Sequence, residues 1–267
     1  PALARQDGLW MLNNKRWGRI GGINGHGYNL TIGKDFLFDE HGYYGLLFDY
    51  GSNTVSGTAG SGEYDSYSLG LYAGNKNKPG SITGFVSYGL QANKGTAYLP
   101  VLGQTAESGY DSKTLGIGVE YAYDLDYGKP EELWHVSPYA RLNFTHYRQK
   151  AFKEHGAGVF DRSFGSYSDN YAEGELGLSF DRSEGTGGYG IRLGYKRILT
   201  GERQLMEVCF AEDECGSLLP VRSWGEGRNH FAAAAYVRHD FSRKWSAGGS
   251  LSGDWSNGGR EIGARLD

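Results

Sequence analysis

Along most of this chain apolar residues alternate with small or polar ones, as in Leu115-Gly116-Ile117-Gly118-Val119-Glu120-Tyr121-Ala122-Tyr123. The stretches are roughly ten residues long and recur about twelve times. A side-chain period of two puts the apolar set on one face of an extended strand and the polar set on the other. No helical segment lies between the stretches to cover the apolar face. The pattern therefore predicts lipid outside and water within: an all-β, closed antiparallel transmembrane β-barrel of about 12 strands, with short periplasmic turns and longer extracellular loops.

Composition fits that reading, with 44 Gly and 20 Tyr among 267 residues against 2 Met, 2 Cys and 6 Pro. Mean hydropathy is -0.54, and the absence of any run of about 18 apolar residues excludes a helical membrane span. Low hydropathy is compatible with a membrane barrel, because only alternate residues face lipid. Without a Pro/Ser-rich linker or a change of pattern, residues 1–267 read as a single domain. A net charge of -4 gives no basic footprint for nucleic acid. Neither an initiating Met nor a basic-then-apolar leader stands at Pro1-Ala2-Leu3-Ala4-Arg5, so the chain reads as an excised part whose export signal lies upstream.

Strand-like segments fall at about 8–17, 27–38, 43–53, 64–74, 81–92, 111–124, 133–148, 170–181, 188–199, 229–241, 245–255 and 260–267. The even number suits a closed bacterial barrel, and closure removes the strand edges that an open sheet must protect. Connections sort by parity. Those at Asp39–Gly42, Asn75–Gly80, Asp126–Pro130, Ser183–Gly187 and Ser242–Lys244 are short and turn-like. Those at roughly 53–63, 93–110, 149–169 and 200–228 are long and rich in Gly, Ser and charge, while 18–26 and 256–259 are short. This parity predicts the Gram-negative outer membrane as location, with both termini periplasmic and the long loops extracellular.

Trp134 and Trp245 begin strands and Trp17 and Trp255 sit at the opposite ends of theirs, as expected of two interfacial aromatic girdles; the alternative is the core of a β-sandwich. Parity sends Leu46, Phe48, Leu69, Leu71, Val119, Tyr121, Leu142, Phe144, Leu176, Leu178, Ile191, Leu193, Leu251 and Ile262 to lipid. It sends Asp35, Asp49, Glu120, Arg141, Glu173, Glu175, Arg192, Lys196, Glu261 and Arg265 to the lumen. A charge on the lipid face costs roughly 2–4 kcal/mol at the midplane, so collecting these on one parity has physical meaning. Gly116, Gly118, Gly177, Gly194, Gly248 and Gly263 share the inward face and leave room for water, an aromatic ring or a threaded segment.

Several blocks resemble the C-terminal translocator β-domain of type V autotransporters: Gly27-Tyr28-Asn29-Leu30-Thr31-Ile32-Gly33-Lys34-Asp35, Tyr67-Ser68-Leu69-Gly70-Leu71-Tyr72-Ala73-Gly74, Gly118–Tyr123, Ser137-Pro138-Tyr139-Ala140-Arg141-Leu142 and Glu175-Leu176-Gly177-Leu178. Their order and spacing carry the likeness. The resemblance implies a non-enzymatic barrel that inserts in outer-membrane lipid and exports its own N-terminal passenger to the cell surface. A helix would plug the lumen, the barrel assembly machinery and periplasmic chaperones would assist, and the barrel would be a monomer. Asp49, Glu120, Arg141, Glu173, Glu175, Arg192, Lys196 and Arg265 would then line the lumen or contact the passenger helix. Residues 1–7 would be the stub of that helix or its linker. Such barrels normally end in an aromatic residue, whereas this chain stops at Arg265-Leu266-Asp267, which suggests truncation.

Cys209 and Cys215 fall in a loop that this topology puts outside the cell, where an oxidising compartment and close spacing favour a disulfide. The acidic Phe210-Ala211-Glu212-Asp213-Glu214 between them contains no His and reads as solubilising rather than metal-binding. No cofactor is expected. His146 and His155 near Glu154, Asp161 and Ser163 allow an outer-membrane hydrolase to be considered, though spacing alone cannot place a base beside a nucleophile; His135 reads as lumenal. Gly57-Thr58-Ala59-Gly60-Ser61-Gly62 lacks the Lys and helix of a phosphate loop and reads as a mobile surface loop. A general solute pore and an adhesin with binding loops are the remaining alternatives to a translocator.

Overall fold

The computed structural model describes residues 8–77, 79–126, 129–130, 133–201, 205–210, 219–222, 227–242 and 245–267. Twelve strands make the wall: β1 (Leu9–Ile20), β2 (Ile23–Leu37), β3 (Gly42–Gly57), β4 (Gly60–Asn75), β5 (Gly80–Leu99), β6 (Gln104–Tyr123), β7 (His135–Gln149), β10 (Tyr167–Glu184), β11 (Gly187–Thr200), β14 (Asn229–Asp240), β15 (Ser246–Ser256) and β16 (Gly259–Leu266). Four further strands, β8 (Phe152–His155), β9 (Arg162–Phe164), β12 (Leu205–Phe210) and β13 (Leu219–Arg222), and one 3-10 turn at Gly158–Phe160 lie at one rim. Each wall strand pairs antiparallel with the next, and β16 closes on β1 from Asn13↔Leu266 to Ile20↔Gly259. Closure satisfies backbone groups that lipid cannot.

The side chains follow the alternation of the sequence. Leu69, Leu176 and Leu251 stand 66%, 67% and 64% exposed on the outer surface, an arrangement that water would penalise and a hydrocarbon layer rewards. Between these residues on each strand the polar set points inward. The barrel thus has an apolar outside and a polar inside, the inverse of a soluble domain.

Local chemistry explains the ends. In the β2–β3 turn, Asp39 Oδ1 accepts the His41 and Gly42 N–H groups at 2.7 and 2.5 Å, an Asx turn. At the opposite end Gly21 and Gly22 take φ of 55° and 90°, so the two-residue β1–β2 connection adopts the left-handed backbone that suits a twisted hairpin. Two of the expected long loops are instead mostly strand. β3 and β4 stay paired out to Gly57↔Gly60, so the Gly57–Gly62 segment is ladder and a tight turn, not a mobile surface loop. β5 and β6 likewise pair out to Leu99↔Gln104. Above the apolar belt both faces of a strand meet water, and the alternation that marks strands in the sequence is lost. β8 continues along the edge of β6 where β7 ends, with Glu107 opposite His155. β9, β12 and β13 then extend this rim sheet.

Candidate functional site: the lumen and its rim

Inward-facing residues on four neighbouring strands build the principal charge network. Glu120 on β6 faces Arg141 on β7, which faces Glu175 on β10. Arg141 donates Nε to Glu120 Oε2 at 2.7 Å, and one of its terminal nitrogens stands 3.6 Å from Glu175. Arg192 on β11 reaches the same Glu120 carboxylate with two hydrogen bonds of 3.1 and 2.8 Å. The Arg192 guanidinium also lies 3.5 Å from the centroid of the Tyr139 ring, a cation–π contact, and Tyr139 donates its hydroxyl to Glu175 at 2.5 Å. Charge-assisted bonds of this kind are stronger than neutral ones and hold five side chains in one arrangement.

A second network lies beside it. Lys196 sits 2.6 Å from Asp254 and 3.8 Å from Glu173. Asp254 also meets His230 Nδ1 at 2.5 Å, and Glu173 accepts from Asn143 Nδ2 at 2.9 Å. On the opposite wall Asp49 accepts from Thr31 Oγ1 at 2.5 Å and Asn29 Nδ2 at 3.1 Å. Nearer the short-turn end, Asp35 accepts the indole N–H of Trp10 at 3.0 Å and the hydroxyl of Tyr72. Arg265 approaches Asp267 at 3.7 Å. Two adjoining cavities, about 580 and 710 Å³, share Tyr139, Arg141 and Arg192 in their walls.

The inward glycines receive rings. A Cβ at Gly177 or Gly194 would run into Tyr139, one at Gly118 into Phe85, and one at Gly33 into Trp10. Sequence reasoning noticed space at several of these glycines but missed Trp10, Tyr72 and Tyr139 as its occupants. The available signal was an inward aromatic residue one ladder step from an inward glycine, readable only once strand partners are known.

Four of the six tryptophans, Trp17, Trp134, Trp245 and Trp255, lie on the outer surface. Trp134, packed edge-on against Tyr189 at 5.5 Å, and Trp245 are at the short-turn end, with Trp17 and Trp255 at the other. Tyr28, Tyr50 and Tyr67 form a continuous outer row at that second end, with ring centroids 5.9 and 5.2 Å apart. At the rim, Tyr110, Phe152 and Phe164 stack at 4.3 and 4.5 Å, and Arg162 lies over Phe164 while gripping Glu154 with two bonds of 2.6 Å. Both Glu154 oxygens are thereby occupied. Asp161 accepts the Ala157 N–H at 2.7 Å, Ser163 is buried, and His146 meets Asn170 at 2.9 Å. Among the described residues no hydrogen bond joins His146 or His155 to Ser163, although β8 and β9 pair Lys153 with Ser163 and so set Glu154 and Ser163 in one ladder. His135, at the short-turn end, approaches Asp124 at 3.3 Å. Cys209 is buried with its Sγ 3.7 Å from the Ser163 carbonyl oxygen; Cys215 lies outside the described residues, as do residues 1–7.

Comparison with known proteins identifies the architecture. The family model described as Autotransporter beta-domain matches residues 9–252. A search of curated proteins finds no match. Among solved structures, the translocator domain of the autotransporter NalP from Neisseria meningitidis is similar with a TM-score of 0.81 at 17% identity, covering 98% of this chain and 87% of that one. The beta domain of the Bordetella autotransporter BrkA gives 0.74 at 14% identity with 97% of each chain covered. The transport unit of AIDA-I from Escherichia coli gives 0.63 at 12%, covering 98% and 89%. At these identities the three structures speak for the fold.

Proposed function

Because the chain belongs to the autotransporter β-domain family and is an outer-membrane translocator barrel, we propose that its lumen carries the chain preceding Gly8 to the cell surface, with the charge network at Glu120, Arg141, Glu175 and Arg192 forming the wall it passes. The observation that supports this reading is the combination of a closed apolar exterior with a lumen whose charges are paired across adjacent strands. A transiting polypeptide needs hydrogen-bonding walls, and charges already neutralised by one another do not hold it by strong single-sign attraction. Asp49, Glu173, Lys196 and Arg265 extend that wall toward other strands. In this reading both termini are periplasmic, the β8–β9–β12–β13 rim is extracellular, Cys209 pairs with Cys215 there, and the barrel acts as a monomer without catalysis or cofactor. Barrel assembly machinery and periplasmic chaperones are its expected partners in biogenesis.

The test is protease accessibility on intact cells of an epitope-tagged segment placed upstream of Pro1, compared with the same fusion lacking β16. Digestion of the surface tag is expected only with the complete barrel. A tag that stays protected while the barrel is inserted and folded, shown by its heat-modifiable electrophoretic mobility, would overturn the proposal in favour of a solute pore.

A further inference from the structure

Arg19 on β1 and Arg260 on β16 are directly opposed across the closing seam, and both point outward. Like charges in that position repel each other, so a fold retains them at a cost unless something neutralises them. Neither makes an ion pair among the described residues. The comparable outward pair Lys113↔Arg148 differs: Asp111, two residues along β6 on the same face, brings a carboxylate and an ion pair with Lys150 at 3.5 Å. Around Arg19 and Arg260 the outward positions in adjacent registers are Asn24, His26, Trp17 and Trp255, with no described carboxylate among them. Glu261, adjacent in sequence, points into the lumen.

Height and surroundings identify what neutralises the pair. The wall is low here, because β1–β2 and β15–β16 turn within two residues at Gly21-Gly22 and Asn257-Gly258, two residues beyond the arginines. Trp17 is the next outward residue below Arg19, and Trp255 is opposite Arg260. The Trp255 indole lies back over Gly253, where a Cβ would collide with it, and so is held against the wall below the guanidinium. Indoles settle at the level where acyl chains meet headgroups. Two guanidiniums immediately above them stand at the depth of lipid phosphates, and the guanidinium fork matches phosphate oxygens in a bidentate manner.

We propose that the outward face at Arg19 and Arg260 is a docking site for the phosphate-bearing headgroup of a lipid in the outer leaflet. The lipid would place its phosphate between the two guanidiniums and its acyl chains along Trp17 and Ile262. It would thereby cover the first-to-last-strand seam with a bound anion. The assignment to the outer leaflet rests on the orientation argued for the translocator, whereas the phosphate chemistry rests on the arginine pair alone.

The experiment measures binding of fluorescent diphosphorylated lipid A to the purified, folded barrel in a zwitterionic detergent. Arg19→Gln/Arg260→Gln is expected to bind roughly tenfold more weakly than the parent chain, and Arg19→Lys/Arg260→Lys, which keeps charge but removes the fork, to fall between them. Lys113→Gln/Arg148→Gln should bind as the parent does, and dephosphorylated lipid A should not distinguish the variants. Heat-modifiable mobility reports whether each variant is folded; if the Gln pair does not fold, the Lys pair carries the comparison. Equal binding by parent and folded arginine variants would overturn the proposal, as would complete displacement of the lipid by millimolar inorganic phosphate, which would mark a simple anion site. Asn257→Cys that a membrane-impermeant thiol label cannot reach on intact cells would remove the outer leaflet as the source and, independently, the translocator orientation.

Discussion

At the scale of single residues the lumen is organised around Glu120, whose one carboxylate serves two guanidiniums. Its side chain is 24% exposed, and those of Arg141 and Arg192 are 37% and 22% exposed, so water screens the cluster only partly. Glu120→Gln leaves Arg141 with the more distant Glu175 and Arg192 with its Tyr139 contact, and should lower barrel stability by about 1–3 kcal/mol. Glu63→Gln, which breaks a pair with Lys94 whose side chains are 62% and 78% exposed, should cost about 0–1 kcal/mol. The temperature at which heat-modifiable mobility is lost in detergent measures both; equal shifts would show that the lumenal network contributes no more than a surface pair. The inward direction of Glu120, Arg141 and Arg192 follows from parity alone. Their mutual pairing does not, because Glu120 and Arg192 are separated by 72 residues and meet only through the register of β6, β7, β10 and β11.

At the scale of elements, all twelve wall strands are legible because each carries an apolar-polar alternation bounded by turn residues. Their upper ends are not, since polar and Gly-containing ladder such as Thr54–Gly57 looks the same in sequence as a loop. The rim strands β8 and β9 were missed for another reason: four and three residues are too few to show a period. The short turns are the converse case, where a single side chain explains the geometry. In the β6–β7 connection Asp126 accepts the Val136 N–H at 3.1 Å and the ammonium of Lys129. The Lys129 hydrogen bond, reinforced by the Val136 amide, holds its carboxyl below the ordinary carboxylate value of 3.8. A depressed value means that the contribution is fully present above the unfolded-state pKa and is lost as pH falls through the lower folded-state value. Protection of the Val136 amide from hydrogen exchange should therefore persist down to about pH 4 and disappear only in stronger acid. Asp126→Asn should abolish that pH dependence, and protection that already fades well above pH 5, or that is unchanged in Asp126→Asn, would show that the Asp126 carboxylate does not hold the turn.

For the whole molecule, everything depends on one long-range event, the meeting of the first and last strands. β5 and β6 are neighbours in sequence and pair from Gly80↔Tyr123 to Leu99↔Gln104, whereas β1 and β16 must find each other across the entire chain and pair only from Asn13 to Ile20. Loop closure of that span is paid before the seam contributes any stabilisation. Until then both strands present open edges, which lipid does not tolerate. The seam also permits a direct test, because a Cβ built at Gly18 would lie 3.7 Å from Glu261 Cβ, close to the mean separation of about 3.8 Å in disulfides. Gly18→Cys/Glu261→Cys should therefore cross-link on oxidation in the assembled barrel and raise the temperature at which the folded electrophoretic form is lost, with reduction restoring the parent value. In chains retained in the periplasm these two cysteines should not cross-link to each other, since without closure they are far apart, even though that compartment is oxidising. Rapid cross-linking before membrane insertion would mean that the terminal strands pair first, and the barrel would then be built from its seam outward rather than closed by it.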